Sequence, residues 1–470
     1  MSTECKPESL EFQACGSREV VGSFDGGRIT SDAGGLLLRE VERRRGIIKG
    51  FAGCFTDYRH PRYIEHSVEE LIAQRVYGLA LGYEDLNDHD ELRSDALLGV
   101  MVDKQDPSGM DRVRERDRGK ALAGKSTLNR LELTPANRLG NERYKKIGVD
   151  QGAVENLFVD LFLDGQRKVP KSIILDLDAT DDPVHGNQEG RFFHGYYGHY
   201  CYLPLYITCG DFLLCAKLRP SNIDASAGSV EELERIVSRI RARWPKVKIM
   251  IRGDGGFCRE EIMRWCESKR VDFVLGLAKN DRLKDEIAVE MEQAKNEHER
   301  TGRAERVFAD FGYQTLTSWS RERRVIGKAE YLEKGANPRF IVTSLKATRA
   351  KRLYEKIYCA RGDMENRIKE QQLDLFADRT STATLHGNQL RLWFSSVAYV
   401  LMNELRRLAL IGTEMARSQC GTIRTKLLKI GAQIKLSTRR IVISMASGYP
   451  FGAIFKQAYE NLRRHVLIQT

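Results

Sequence analysis

The chain has 470 residues, 41% hydrophobic and 30% charged, with a net charge of +11. That length and apolar content predict two to four domains with real cores and exclude a disordered or disulfide-stapled miniature protein. No apolar run nears the ~20 residues a bilayer requires, and the opening MSTECKPESLEFQ lacks the basic-then-apolar order of a signal peptide, so a cytoplasmic protein without a membrane partner is expected.

Residues 1–165 read as mainly helical after a glycine-rich entry, with turn material at Asp25-Gly26-Gly27-Arg28 and Ala33-Gly34-Gly35. LLLREVERRRGI and VEELIAQRVYGLALG carry apolar residues at helical spacing. The pattern changes at Val169-Pro170. Ser172–Asp178 is a first strand, Tyr202–Thr208 and Phe212–Leu218 two more, joined by the turn Cys209-Gly210-Asp211. Gly228–Trp244 predicts a helix capped by Ser229, Val247–Ile251 a fourth strand, Arg259–Lys269 a helix and Val271–Leu275 a fifth strand. A charged helix follows over Lys284–Arg303. Arg306–Ser344 is β-like, clearest at Tyr313–Thr317 and Phe340–Ser344, and reads as an insertion before the helices Lys351–Phe376 and Gln389–Leu410.

Several patterns invite chemistry and are set aside. None of the ten cysteines forms a CxxC pair, and Cys209 and Cys215 read as small buried hydrophobes. Gly119 to Ser126 satisfies the phosphate-loop pattern G-x-x-x-x-G-K-[ST], but DRVRERDR before it cannot be the buried strand such a loop leaves. Ser126 or Thr127 opening a helix is the better reading, and no ATP is expected. His185, His194 and His199 lie at spacings unlike a helical zinc pair, among turn glycines; a connection close to DNA, with aromatics and Arg191, fits better.

The carboxylates carry the stronger signal because of where they fall. Asp176 and Asp178 alternate with Leu175 and Leu177, on one face of the first strand's end. Asp254 directly follows the fourth strand, and Glu365 lies on a late helix with Arg361, Lys369 and Tyr358 on the same face. In a right-handed sheet the first and fourth strands are neighbours, so a helix crossing their ends brings a third acid to two. Converging unpaired carboxylates are costly, and divalent cations remove that cost. Charge also concentrates at the end of the chain: Arg417–Thr470 holds ten Lys/Arg against one acid, a net of +9, including Arg424, Lys435, Arg439 and Arg440. A polyanionic partner fits that segment, with a solvated helical face as the plainer alternative.

DGGRITSDAGGLLLRE, LDLDATDDPVHGNQEGRFFHGYYGHY, LRPSNIDASAGSVEELERI, IRGDGGFCREEI and YCARGDMENRIKE resemble stretches of bacterial DDE insertion-sequence transposases, specifically the insertion-sequence 1380 family. The strand order likewise resembles a ribonuclease H-like core. The resemblance implies an α/β fold: a mainly helical DNA-binding region over 1–165, a ribonuclease H-like catalytic core over 166–289 and 346–410, a β-rich insertion domain over 290–345 touching the transposon end, and a basic, mainly helical C-terminal region over 411–470. It implies Asp178, Asp254 and Glu365 as catalytic metal ligands for Mg²⁺, with Mn²⁺ able to substitute. The Asp-x-Thr pattern of relatives favours Asp178-Ala179-Thr180 over Asp176. The larger group's Y-x2-R-x3-E-x6-K signature matches Tyr358, Arg361 and Glu365, but Gln372 holds its last position, leaving Lys369 as the nearest lysine. Trp319 is expected to stack on a base, or else to be a core aromatic. The implied partners are double-stranded DNA, as transposon ends and target, and a second copy in the DNA complex, in a bacterial cytoplasm. The rivals are a nuclease on the same core without strand transfer and a catalytically silent DNA-binding regulator.

Overall fold

The computed structural model describes residues 9–135 and 146–466; Cys5 lies outside them. Two compact units divide the chain, one of residues 150–373 and 377–396, the other of residues 1–149, 374–376 and 397–470. The latter unit draws on both terminal regions of the chain.

The middle unit is built on a nine-stranded mixed sheet. In chain order its main elements are helix α1 (Gln151–Gly165), strands β1 (Ser172–Ala179), β2 (Leu205–Cys209) and β3 (Phe212–Lys217), helix α2 (Ser229–Arg243), strand β4 (Lys248–Gly253), helix α3 (Glu260–Lys269), and strands β5 (Asp272–Leu277), β6 (Glu305–Tyr313), β7 (Arg323–Leu332) and β8 (Arg339–Thr343). Spatially the strands run β3-β2-β1-β4-β5-β8-β7-β6, with the short strand Gly335–Ala336 paired to β7. β1, β4 and β5 are mutually parallel, and β2 lies antiparallel to β1. Apolar residues of these strands are buried, as parallel strands covered on both faces require. In α2, Leu233, Ile236, Val237 and Ile240 recur at helical spacing and are all buried in the core shared with the sheet.

The observed elements differ from the sequence reading where side chains mislead. Tyr202–Thr208 is not one strand: His199–Tyr202 belongs to a small three-stranded sheet and Leu205–Cys209 to the large one. Pro204, which has no N–H for a ladder, stands between them. Ser229 does not cap α2; Gly228 does, with φ of +75°, and the Ser229 hydroxyl is buried inside the first turn without a partner. The charged helix divides into Asp281–Glu286 and Ala288–Thr301. β6 ends where Tyr313–Thr317 was expected to be extended: the Thr315 hydroxyl accepts from the Trp319 N–H at 2.7 Å and folds the chain into a turn. β7, rich in Arg and Lys, lies within the β-like stretch but was not among its clearest strands; its charges are paired, Arg323 with Glu260 and Glu267 and Arg324 with Asp310. β6, β7 and β8 continue the large sheet through β5 rather than folding apart from it.

In the terminal unit, Leu36–Arg45 and Val68–Leu81 are helices as the apolar spacing predicts. Ser67 and Glu70 form a reciprocal cap at the start of the second. Both ends of the chain carry more strand than expected. Ser9–Cys15 and Arg18–Ser23 form a hairpin, and Arg28–Thr30 pairs with Ala432–Leu436, which pairs with Ile441–Met445. Buried Asp32 is met by Lys429 Nζ at 2.6 Å and the Tyr83 hydroxyl at 2.6 Å, tying the two ends of the chain together. Gly119–Ser126 follows a short 3-10 turn, not a strand; Gly124 precedes the helix Lys125–Glu132, and Lys125 donates to Asn87 and pairs with Asp90. Among the described residues no helix is long and apolar enough to cross a membrane.

Candidate active site

The register of β4 on β1 assembles the first part of the site. Arg252 lies opposite Asp176 and Gly253 opposite Leu177, so the next positions along the two strands are Asp254 and Asp178. Asp176 and Asp178 share a face, yet they do different work. Asp176 is buried and clasped by Arg252, with Nη2 2.7 Å from Oδ2 and Nε on the other oxygen. Arg252 also donates to the carbonyl of Ile357, on the helical run that carries Tyr358, Arg361 and Glu365. Asp176 is therefore paired within the sheet, whereas Asp178, at the strand end, has no such two-bond clasp.

That helical run covers Ala350–Lys369, with a widened turn at Leu353–Tyr358, a tight turn at Cys359–Arg361 and then helix α4 (Gly362–Lys369). Arg361 and Glu365, four apart, pair at 2.7 Å. The other end of the same guanidinium stands 3.5 Å from Asp178 Oδ2, without a hydrogen bond from Nη1. Asp254 accepts the Gly256 N–H at 2.8 Å, opening the turn Gly255–Phe257.

Asp254 and Glu365 both act electrostatically on Asp178, and all three acids act on Arg361. Burial, and then the charges of Asp254 and Glu365, push the Asp178 carboxyl up to about 6 against the pull of Arg361. Burial works against the charge on Arg361, and Asp178, Asp254 and Glu365 together outweigh it and hold its pKa above the ordinary value. Arg361 is thus the internal counter-cation of the set. Among the described residues no three Asp, Glu, His or Cys side chains stand close enough to ligate one ion. The donors are nevertheless of the kind a hard cation takes, since all three are carboxylate oxygens.

A cavity of about 560 Å³ opens beside Asp254, lined also by Lys279, Arg339, Tyr354 and Tyr358. Its floor requires glycine: a Cβ on Gly276 would fall 2.6 Å from the Tyr358 hydroxyl and 2.8 Å from the Gly255 nitrogen. Burial, with Asp254 nearby, raises Tyr358 above the usual phenol value and keeps it a hydrogen-bond donor.

The sequence matches, over residues 12–467, the family described as transposase DDE domain, group 1. The chain belongs to that family. No curated protein matches it. The DDE transposase family is one of DNA-cleaving enzymes that generally use divalent metal ions, and DNA is the substrate the family implies.

Not every expected DNA contact of this DDE domain is available to DNA. Trp319 is only 6% exposed, set edge-on against Tyr313 at 5.8 Å within the core, so it presents no face to a base and the stacking role is withdrawn. Arg424 is a structural cap: its guanidinium donates to the carbonyls of Leu79 and Ala80 at the end of the helix Val68–Leu81, and to Asp374. Lys435, Arg439 and Arg440 are exposed, but on a β-hairpin rather than a helix. Lys369 is exposed on α4, and Gln372, at the signature's last position, donates to the Asp181 carbonyl at 3.1 Å, just beyond β1. The histidines fall near a hairpin where His199 Nε2 lies 2.8 Å from Asp181.

Sequence reasoning also missed a basic run. Lys346–Lys356 (KATRAKRLYEK) holds five Lys/Arg against one Glu, a density visible in the sequence itself. Arg349, Arg352 and Lys356 recur at three- and four-residue spacing beside a groove of about 1,040 Å³ that leads into the run bearing Tyr358 and Arg361. Glu355 is engaged by Arg306 at 3.5 Å, whereas among the described residues no carboxylate stands within ion-pair distance of Arg349, Arg352 or Lys356.

Proposed function

We propose that the chain is a transposase that binds the terminal inverted repeats of an insertion sequence and catalyses DNA cleavage and strand transfer with two Mg²⁺ or Mn²⁺ ions held by Asp178, Asp254 and Glu365. This reading is supported by Arg361, which pairs with Glu365, stands 3.5 Å from Asp178 and is held above its ordinary pKa by Asp178, Asp254 and Glu365, three acids distant in sequence. In two-ion chemistry the bound cations supply Lewis acidity for the attacking and departing oxygens. The residues of the chain bind and orient. Arg361 neutralises the acids, with Nη1 3.5 Å from Asp178 Oδ2 and Nη2 on Glu365, and Tyr358 offers a phenolic hydrogen beside Asp254. Arg252, held by Asp176, fixes the Glu365-bearing run against the sheet through Ile357.

We read the five strands from β3 to β5 as a ribonuclease H-like core. The support is their spatial order, third-second-first-fourth-fifth in chain order, with the second antiparallel and the last two parallel to the first. Membership of the insertion-sequence 1380 family, a bacterial cytoplasmic setting and a dimer bridging two DNA ends belong to the same reading. The test is incubation with Mg²⁺, labelled end DNA from the flanks of the coding region, and a supercoiled target plasmid. Joining of the 3′ end to the plasmid is expected. Cut but unjoined ends would indicate a nuclease, and binding without cutting a silent regulator.

A further inference from the structure

A small sheet beside β1 carries the largest cluster of exposed aromatic side chains that the carboxylate chemistry does not use. Phe192–His194 pairs with His199–Tyr202 across the turn Gly195-Tyr196-Tyr197-Gly198, in register Phe193↔Tyr200 and His194↔His199. Gly198, with φ of +77°, closes the turn by donating to the His194 carbonyl at 2.8 Å. The hairpin's other edge pairs with Asp182-Pro183, directly downstream of β1.

Alternation along a strand divides the residues between two faces. His194 and His199 lie on one, with the ring of Tyr197 packed against both, at 4.9 Å and 6.1 Å. That face is anchored to the active site. His199 meets Asp181, and the Tyr197 phenol, pushed up to about 12 by burial, feels the charges of Asp181 and Asp178. The opposite face is open. Phe193 and Tyr200 touch edge to face at 5.7 Å, and the Arg191 guanidinium lies 4.7 Å over the Tyr200 ring. Tyr196 projects from the tip, 86% exposed.

We propose that this outer face is a stacking platform for unpaired bases of the DNA strand beside the cut, so that the enzyme holds the duplex open next to Asp178. The inference rests on the DNA-cleaving reading above. Exposed apolar clusters of this kind are uncommon on a protein surface and mark a partner. The occupant follows from the chemistry. Every base has a π face, and aromatic rings interleaved with Arg bind single strands without reading sequence. From Gly190 to Tyr202 the only formal charge is Arg191, so the hairpin itself brings no acid to that outer face. On the inner face His199 Nε2 lies 2.8 Å from Asp181, three residues after Asp178, which puts the platform within reach of a strand entering the site.

The experiment compares binding of a fully paired duplex with that of a forked duplex of the same length and arbitrary sequence, using the full chain and the variant Phe193→Ala/Tyr196→Ala/Tyr200→Ala. The wild type is expected to prefer the fork, and the variant to lose roughly 5- to 150-fold for each base no longer stacked. Affinity for the paired duplex and the melting temperature should stay unchanged. Tyr196→Phe/Tyr200→Phe, which keeps the rings and removes the hydroxyls, should retain the preference. Equal loss on fork and duplex, loss in the Phe variant, or loss of self-association with the fork preference intact would each overturn the proposal. Nicking of end DNA in Mg²⁺ by the wild type is measured alongside. Its absence counts against the DNA-cleaving reading, whereas wild-type nicking with no fork preference counts against the platform alone.

Discussion

Removing one partner of the Asp176–Arg252 pair is expected to destabilise the middle unit far more than removing both. The two side chains are 6% and 7% exposed, and they exchange two hydrogen bonds in a nearly dry site. Asp176→Asn leaves Arg252 charged and uncompensated, which costs about 3–5 kcal/mol for a buried pair. Arg252→Met strands the Asp176 charge at a similar cost and also leaves the Ile357 carbonyl without its donor, adding about 1–3 kcal/mol. In Asp176→Leu/Arg252→Met no charge is stranded, and only that carbonyl penalty of about 1–3 kcal/mol remains. The assay is urea unfolding followed by tryptophan fluorescence. All four tryptophans, Trp244, Trp265, Trp319 and Trp393, belong to the middle unit, so the signal reports on it alone. A double variant as unstable as the sum of the single ones would refute the reasoning, because independent sites add and a coupled pair does not.

Acid should weaken the terminal unit through His89. This ring is fully buried, with Nδ1 3.1 Å from Gln74 Nε2, and burial, helped by the charge of Arg75, pushes it down to about 3. The unfolded chain then takes up a proton first, so stability is full above pH ~6.5 and falls as pH drops toward 3, by about 2 kcal/mol at pH 5. His89→Gln should flatten that part of a melting-temperature series followed by circular dichroism, leaving the parallel contribution of His66; an unchanged profile would contradict a buried neutral ring. Replacing Arg349, Arg352 and Lys356 by Gln should make the salt dependence of duplex binding shallower by about 2.7, at roughly 0.9 for each phosphate no longer neutralised. The Lys435→Ala/Arg439→Ala/Arg440→Ala variant should show a comparable change, and whichever set leaves the slope untouched lies off the DNA path.

The order of elements in the middle unit and the places of Asp178 and Asp254 at strand ends were legible in the sequence because strand ends are local. Asp178 and Asp254 each follow an apolar run, and parallel pairing puts such ends side by side. The resemblance favoured Asp178 over Asp176, but the neutralisation of Asp176 was not legible in the residues themselves. It depends on register, since only the pairing of Arg252 opposite Asp176 tells which acid is neutralised. The charged strand β7 was not singled out within its β-like stretch for a similar reason: Arg323 looks solvated in sequence and is buried against Glu260 and Glu267. Arg424 and Trp319 show the opposite error. Residue type suggested DNA, but helix capping and core packing took both side chains. The basic tail was read as helical from composition, whereas the alternating burial of Ala432–Leu436 is that of a strand.

The most direct test of the carboxylate site is single-turnover nicking of labelled element-end DNA in Mg²⁺ or Mn²⁺, without ATP, by the wild type and by Asp178→Asn, Asp254→Asn and Glu365→Gln. Each variant keeps its shape and loses a charge that a hard cation needs. The account predicts that all three fold and bind end DNA, and that none nicks it in Mg²⁺. Wild-type-like nicking by Asp254→Asn would contradict it outright, since the register places no other acid beside Asp178 at the end of β4.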